Sequence, residues 1–221
     1  MGFFRRKKHR PTHQQSHSAA DANGLEEESA QRADSPAATE QSQQAGPRDI
    51  SQVREISESH LDFGPILVPA IAGMQLQAIK GTGDENLITH LGVVLGASAV
   101  QLLVAAAPRS GGVWDNLRVE MSEQLKEQGV RVREIDGPWG TELQVKAPVR
   151  NEDGGVGTSI SRVIGIEGPR WFLRVDVLGP AAYEEAAMRE VEPLLNNLIV
   201  RRDDEPRPPM SILPLQLPKA Q

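Results

Sequence analysis

The stretch from Gly165 to Gly179, GIEGPRWFLRVDVLG, constrains the fold most, because it joins two apolar arms by a tight turn. Gly168 and Pro169 supply the turn, since glycine tolerates positive φ and proline has φ fixed near the value that turns use. Alternate residues of the second arm form one apolar face, namely Trp171, Leu173, Val175 and Val177. This period of two residues predicts a β-hairpin whose Trp171 face belongs to the core.

The opposite face of the same arm carries two charges among apolar neighbours. Arg174 and Asp176 are two residues apart, between Phe172 and Leu178. Charged residues on a covered strand are usually paired with each other. A structural ion pair is therefore the preferred interpretation, and the rim of a binding site is the alternative.

The folded part of the chain is predicted to be one domain that follows a long polar arm. Only 38% of the 221 residues are hydrophobic, but the large apolar residues are concentrated after Leu61. Residues 12–47 contain Leu25 as their only large aliphatic residue, so they cannot bury enough apolar surface to offset the entropy of ordering. We predict a disordered arm over residues 1–49 and a single domain over residues 50–218.

Charge is unevenly distributed along the chain, whose net charge is −6. The first ten residues contribute +5 through Arg5, Arg6, Lys7, Lys8 and Arg10. Residues 11–50 cancel that charge, so the domain carries the whole net negative charge, which argues against a general nucleic-acid-binding surface. The basic segment alone is suited to an anionic membrane surface or a phosphate backbone.

The compartment is predicted to be the cytoplasm. The basic start is not followed by the apolar segment of a secretory signal. The chain has no cysteine, which excludes disulfides and thiolate metal sites. The longest apolar run, Leu91 to Ala107, is divided by Gly96 and Ser98, so it predicts two buried strands and a turn rather than a membrane helix.

Two helices are predicted from apolar residues at helical spacing. The first follows Gly112 and ends near Gln128, where Gly129 provides a stop signal. The second covers residues 181–199, with Tyr183 in its apolar stripe and Pro193 kinking or dividing it.

Hairpin strands surround the two helices. Two of them, residues 130–135 and 141–147, are joined by a turn that carries Trp139. Residues 59–72 are predicted to be an entry strand or an edge segment because of their prolines, and the proline-rich residues 208–218 are predicted to fold back on the domain. The fold class is α+β, a mainly antiparallel sheet of hairpins with two main helices packed on it.

Six residues are candidates for binding a ligand, and none belongs to a recognised catalytic, metal-binding or cofactor-binding signature. Arginine suits carboxylates and phosphates, and a desolvated carboxyl group beside it would act as an acid or base. A glycine-rich loop beside Arg109 opens the first helix, which suits an anion, although an ordinary turn is the preferred interpretation. The tryptophan either caps the core or faces a ligand. The six are Arg109, Trp139, Glu142, Arg170, Arg174 and Asp176.

Several separated blocks of the domain carry a family resemblance. They are LDFGPILVP from Leu61, AAPRSGGVWDNLR from Ala106, DGPWGTEL from Asp136, GIEGPRWFLR from Gly165 and PPMSILPLQLP from Pro208. Together they resemble an actinobacterial family known only as a domain of unknown function, over residues 50–218. That resemblance implies no activity and no site residues. The order of elements is also similar to PsbP-like α/β/α sandwiches, which implies a binding or assembly role.

The resulting functional hypothesis is a non-enzymatic cytoplasmic binding or assembly module with an unknown protein partner and no cofactor. It depends on the missing catalytic signature and on the long polar arm, which suits tethering. One alternative is an enzyme or binder that acts on an anionic small molecule through an arginine-lined pocket. The other is a membrane-surface or nucleic-acid adaptor that works through residues 1–10.

Overall fold

The computed structural model describes residues 46–81, 87–150 and 153–218. In these ranges the α-helices are α1 (Val113–Glu127) and α2 (Glu185–Asn196). The strands are β1 (Arg48–Asp49), β2 (His60–Asp62), β3 (Ile66–Pro69), β4 (Gln75–Lys80), β5 (Ile88–Leu95), β6 (Ser98–Ala106), β7 (Arg131–Gly137), β8 (Gly140–Arg150), β9 (Val156–Gly168), β10 (Trp171–Leu178) and β11 (Ile199–Val200).

Two sheets organise these strands. The main sheet has seven antiparallel strands in the order β4-β5-β6-β10-β9-β8-β7, and the small sheet has the order β1-β11-β3-β2. The larger core lies on one face of the main sheet and includes residues of α2 and of the small sheet. The smaller core lies on the opposite face and includes residues of α1. The α+β class predicted from the sequence is confirmed.

The β9–β10 hairpin lies inside the main sheet. Gly168 pairs with Trp171, so Pro169 and Arg170 form the turn, and Arg170 adopts a positive φ of 65°. The Trp171 face of β10 is buried in the larger core, as the alternation of residues predicts. A Cβ atom at Gly168 would overlap the Trp171 ring, so the glycine allows that ring to pack over the hairpin.

The long apolar run forms the neighbouring strands β5 and β6, whose residues pair from Leu95 and Ser98 onward. Within the described parts of the chain, no helix is long and apolar enough to cross a membrane. The C-terminal segment hydrogen-bonds to both strands. Leu213 donates its N–H to Val104 at 2.8 Å, and Leu215 donates to Ile88 at 2.9 Å.

One sequence prediction about local structure, that Tyr183 belongs to the apolar stripe of the second helix, is wrong. Residues 59–72 are predicted to be an entry strand or edge segment; their first strand, β2, is an edge strand of the small sheet, whereas β3 lies between β11 and β2. Its Pro69 is tolerated at the strand end, where it pairs with His60 of β2. Tyr183 is 53% exposed and precedes α2, because a short 3-10 helix, Pro180–Ala182, comes before it. The helix itself continues through Pro193, and its buried residues are Met188, Val191, Leu194 and Leu195.

Candidate functional site

A cleft lies between α2 and strands β7, β8 and β9. Its volume is about 450 Å³, which falls in the range of small-molecule sites. The strands contribute Arg133, Gln144 and Arg162, and the helix contributes Glu185, Arg189 and Glu192. The cleft opens on the sheet face that also holds the larger core, since Met188 belongs to both.

Three polar residues form a row across the strand side of the cleft. Arg133 pairs with Gln144 between β7 and β8, and Gln144 pairs with Arg162 between β8 and β9. Neighbouring strands are about 4.8 Å apart, so the Cα atoms of the two arginines are roughly 10 Å apart. The pairing register therefore places one guanidinium group on each side of the Gln144 amide.

Each arginine of the row is held at its Nε atom. Arg133 donates Nε–H to Gln144 Oε1 at 2.9 Å, and buried Gln144 donates its Nε2–H to the carbonyl of Ala182 at 3.0 Å. Arg162 donates Nε–H to the carboxylate of Glu142. The terminal nitrogens of both arginines have no hydrogen-bond partner among the described residues. Arg133 is exposed, and the side chain of Arg162 is 12% exposed.

Glu142 lies beside the row, two residues before Gln144 on the same face of β8. Its side chain is fully buried and lies against Gly137, where any Cβ atom would overlap the carboxyl group. Burial raises the pKa of Glu142, and the hydrogen bond and positive charge of Arg162 oppose that shift. Its Oε1 atom has no hydrogen-bond partner within the described ranges. This carboxyl group fixes Arg162 and is itself shielded from the cleft.

Arg174 and Asp176 form an ion pair on the other face of the main sheet. Arg174 Nη2 lies 2.8 Å from Asp176 Oδ1, and both residues line a groove beside Met121 and Leu125 of α1. Their charges therefore satisfy each other along one strand. This geometry agrees with the structural interpretation of the pair, and it separates Asp176 from the arginines of the cleft.

The glycine-rich loop before α1 is occupied by one of the chain's own carboxylates. Glu167 Oε1 accepts a hydrogen bond from the backbone N–H of Trp114 at 2.8 Å. An acidic side chain at a helix N-terminus satisfies a free donor and interacts favourably with the helix dipole. Arg109 is exposed in this loop. The anion position that the sequence suggested beside Arg109 is thus occupied by the Glu167 carboxylate.

The remaining candidates lie elsewhere in the fold. Trp139 packs against the larger core and donates its indole N–H to Asn196 Oδ1 at 3.3 Å. Trp139 also lines a second cleft with Trp171. Arg170 forms the β9–β10 turn. Of the six candidates, Glu142 alone contacts a residue of the α2 cleft's strand row, and the six do not converge on one pocket.

The basic candidates Arg5, Arg6, Lys7, Lys8 and Arg10 lie outside the described residues. Among the residues that are described, no three histidine or acidic side chains are grouped so that they could hold a metal ion.

Sequence reasoning missed Arg133, Gln144 and Arg162, because none of them belongs to a motif. The signal that would have found them is hairpin register. The two-residue turn at Pro138 and Trp139 pairs Gly137 with Gly140, and counting back from that pair brings Arg133 opposite Gln144.

The chain belongs to the family described as "Protein of unknown function (DUF3710)", which it matches over residues 46–221. No curated protein matches the sequence. A crystal structure from Bacteroides thetaiotaomicron VPI-5482, solved at 1.50 Å resolution, is similar with 14% identity and a TM-score of 0.37. The match covers 65% of this chain, which spans 48% of that structure's length.

Proposed function

We propose that this domain is a non-enzymatic binding module whose α2 cleft holds the carboxylate or phosphate group of a small ligand. The observation that carries the proposal is the row of Arg133, Gln144 and Arg162, whose arginines are fixed at Nε and have no partner for their terminal nitrogens among the described residues. Guanidinium groups bind such anions through paired N–H donors. Fixing the donors in advance reduces the entropy that is lost when a ligand binds.

The two carboxyl groups that the sequence suggested as acid or base, Glu142 and Asp176, do not line the cleft. Glu142 has a raised pKa, but it is fully buried beside the row and hydrogen-bonded to Arg162. Asp176 is paired with Arg174 on the opposite sheet face. A general acid or base must come within hydrogen-bond reach of the reacting group, and neither carboxyl group lines the cleft. We place the module in the cytoplasm because its sequence contains no cysteine.

The test is a titration of the full chain with acetate, succinate, inorganic phosphate and glycerol 3-phosphate. Binding is monitored through the amide chemical shifts in NMR spectra. We expect at least one of these anions to shift the signals of residues around Gln144. Arg133→Gln should weaken that binding by roughly 10- to 100-fold, because a hydrogen bond to a charged group contributes about 1.5–3 kcal/mol. Arg109→Gln, which removes an exposed arginine outside the cleft, serves as the matched control.

Arg162 needs a different substitution, since removing it alone leaves buried Glu142 without its partner. The double variant Glu142→Leu, Arg162→Met replaces the pair by apolar residues, an exchange that proteins often tolerate. It should remain folded and lose anion binding. The proposal is overturned if no anion shifts signals in the cleft, or if Arg133→Gln and Arg109→Gln bind the anions equally well.

A further inference from the structure

We infer that the ligand of the α2 cleft is dipolar, with a cationic group that faces α2 in addition to its anionic group. This inference rests on the proposed function, because it assigns the second half of the same ligand. Its basis is that the two sides of the cleft carry opposite charges that do not meet. A ligand with one positive and one negative group would pair with the charges on both sides of the cleft.

Carboxylates dominate the helix side and the rim of the cleft. Glu185 and Glu192 come from α2, Glu184 directly precedes it, and Asp136 comes from β7. In the described part of the chain, none of these four carboxylates accepts a side-chain hydrogen bond or lies within 4.0 Å of a cationic group. Arg189 also lies on this side, so the helix and the residue before it retain a net negative charge.

The strand side carries two arginines, and Asp136 is its one carboxylate among the described lining residues. Arg133 donates its Nε–H to Gln144, and Arg162 donates its Nε–H to Glu142. The terminal nitrogens of both arginines lack protein partners in the ranges described. Opposite charges that face each other across about 450 Å³ without contact leave space for a bridging group. Arg162, whose side chain is 12% exposed, interacts more strongly with a ligand than it would in bulk water.

The total charge of the lining narrows the ligand class. Three arginines and four carboxylates line the cleft, so 3 − 4 gives a net charge of −1. A multiply charged anion would be attracted by the strand side and repelled by the helix side. Met188, Ile135 and Pro138 add apolar atoms to the lining of the cleft. A small zwitterion of the amino-acid or short-peptide class, with apolar atoms between its charges, fits this pattern best.

The test compares ω-amino acids, from glycine to 8-aminooctanoate, with carboxylates and alkylammonium ions of the same chain lengths. Each compound is titrated into the full chain by calorimetry. The best ω-amino acid should bind at least about tenfold more tightly than the matched carboxylate, because it alone meets both charged sides. Glu185→Gln combined with Glu192→Gln should remove this preference and leave carboxylate binding intact. Glu190→Gln, an exposed position of α2 outside the cleft lining, should keep it.

The outcomes separate this inference from the proposed function. If carboxylates bind as tightly as the ω-amino acids and Arg133→Gln weakens both, the ligand is anionic, the proposed function stands and the dipolar inference fails. If alkylammonium ions bind as tightly as the ω-amino acids and Arg133→Gln changes nothing, the anion-binding row fails and the inference fails with it. A zwitterion preference that persists in the Glu185 and Glu192 variant also overturns the inference.

Discussion

Trp114 packs directly against the α-carbon of Gly165, so that a Cβ atom at Gly165 would overlap the Trp114 ring. The indole N–H of Trp114 donates to the carbonyl of Thr141 at 2.7 Å. Its ring also stacks on Phe172, with centroids 6.2 Å apart. Helix α1 therefore begins on a position of β9 that has no side chain, and the glycine sets the distance between helix and sheet.

Gly165→Ala should lower the free energy of unfolding by about 1–3 kcal/mol, the usual cost of an added group in a packed core. The ring must move to admit the new methyl group, which disturbs both its stacking and its hydrogen bond. Chemical denaturation measures the loss. Gly92→Ala is the control, because its nearest contacts are at 3.4–3.6 Å and its φ is not positive. Equal stabilities of the two variants would contradict the role of Gly165.

The ion pair between Glu142 and Arg162 predicts a contrast between single and double substitution. Arg162→Met should lower the free energy of unfolding at neutral pH by about 3–5 kcal/mol, because Glu142 is fully buried and loses its partner. Adding Glu142→Leu removes the buried charge, so the double variant should regain most of the loss. Denaturant titration of both variants checks this. A double variant no more stable than Arg162→Met would contradict the explanation.

Glu142 also predicts a pH dependence of stability. Burial raises the pKa of Glu142 above the ordinary value of 4.5, so the folded protein keeps a proton that the unfolded chain releases. As pH rises from the ordinary pKa through the raised one, this group lowers the free energy of unfolding. Glu142→Gln abolishes that contribution. The variant should therefore gain stability relative to the unmodified protein as pH rises from 4.5 to neutrality, as measured by denaturation at matched pH. A difference that is constant with pH would refute the prediction.

The fold was largely predictable because it depends on local patterns. The alternation from Trp171 to Val177 and the break at Gly96 each identify a strand or a turn without tertiary information. The cleft was not predictable in this way, because it depends on register across three strands. Arg133, Gln144 and Arg162 are 11 and 18 residues apart in the sequence and become neighbours only through pairing.

Local composition suggested an anion site beside Arg109 as the alternative to an ordinary turn. The glycine-rich loop has the composition of an anion site, but the sequence does not show that Glu167, more than fifty residues later, reaches its donor. The wrong prediction for Tyr183 also came from a local sequence pattern. Helical periodicity continues into the 3-10 segment before α2, but the chain turns there and leaves the tyrosine exposed.

Glu167 at the N-terminus of α1 provides the last prediction. Glu167→Ala removes the acceptor of the Trp114 N–H, so the free energy of unfolding should fall by about 1 kcal/mol, the typical effect of losing a helix cap. The vacated helix terminus should then attract anions, since its donors and dipole favour negative charge. Sodium sulfate should accordingly raise the Tm of Glu167→Ala more than that of the unmodified protein, relative to sodium chloride at equal ionic strength. Glu120→Ala, at an exposed position of the same helix, should show no such extra gain. If sulfate stabilises all three proteins equally, Glu167 does not occupy an anion position.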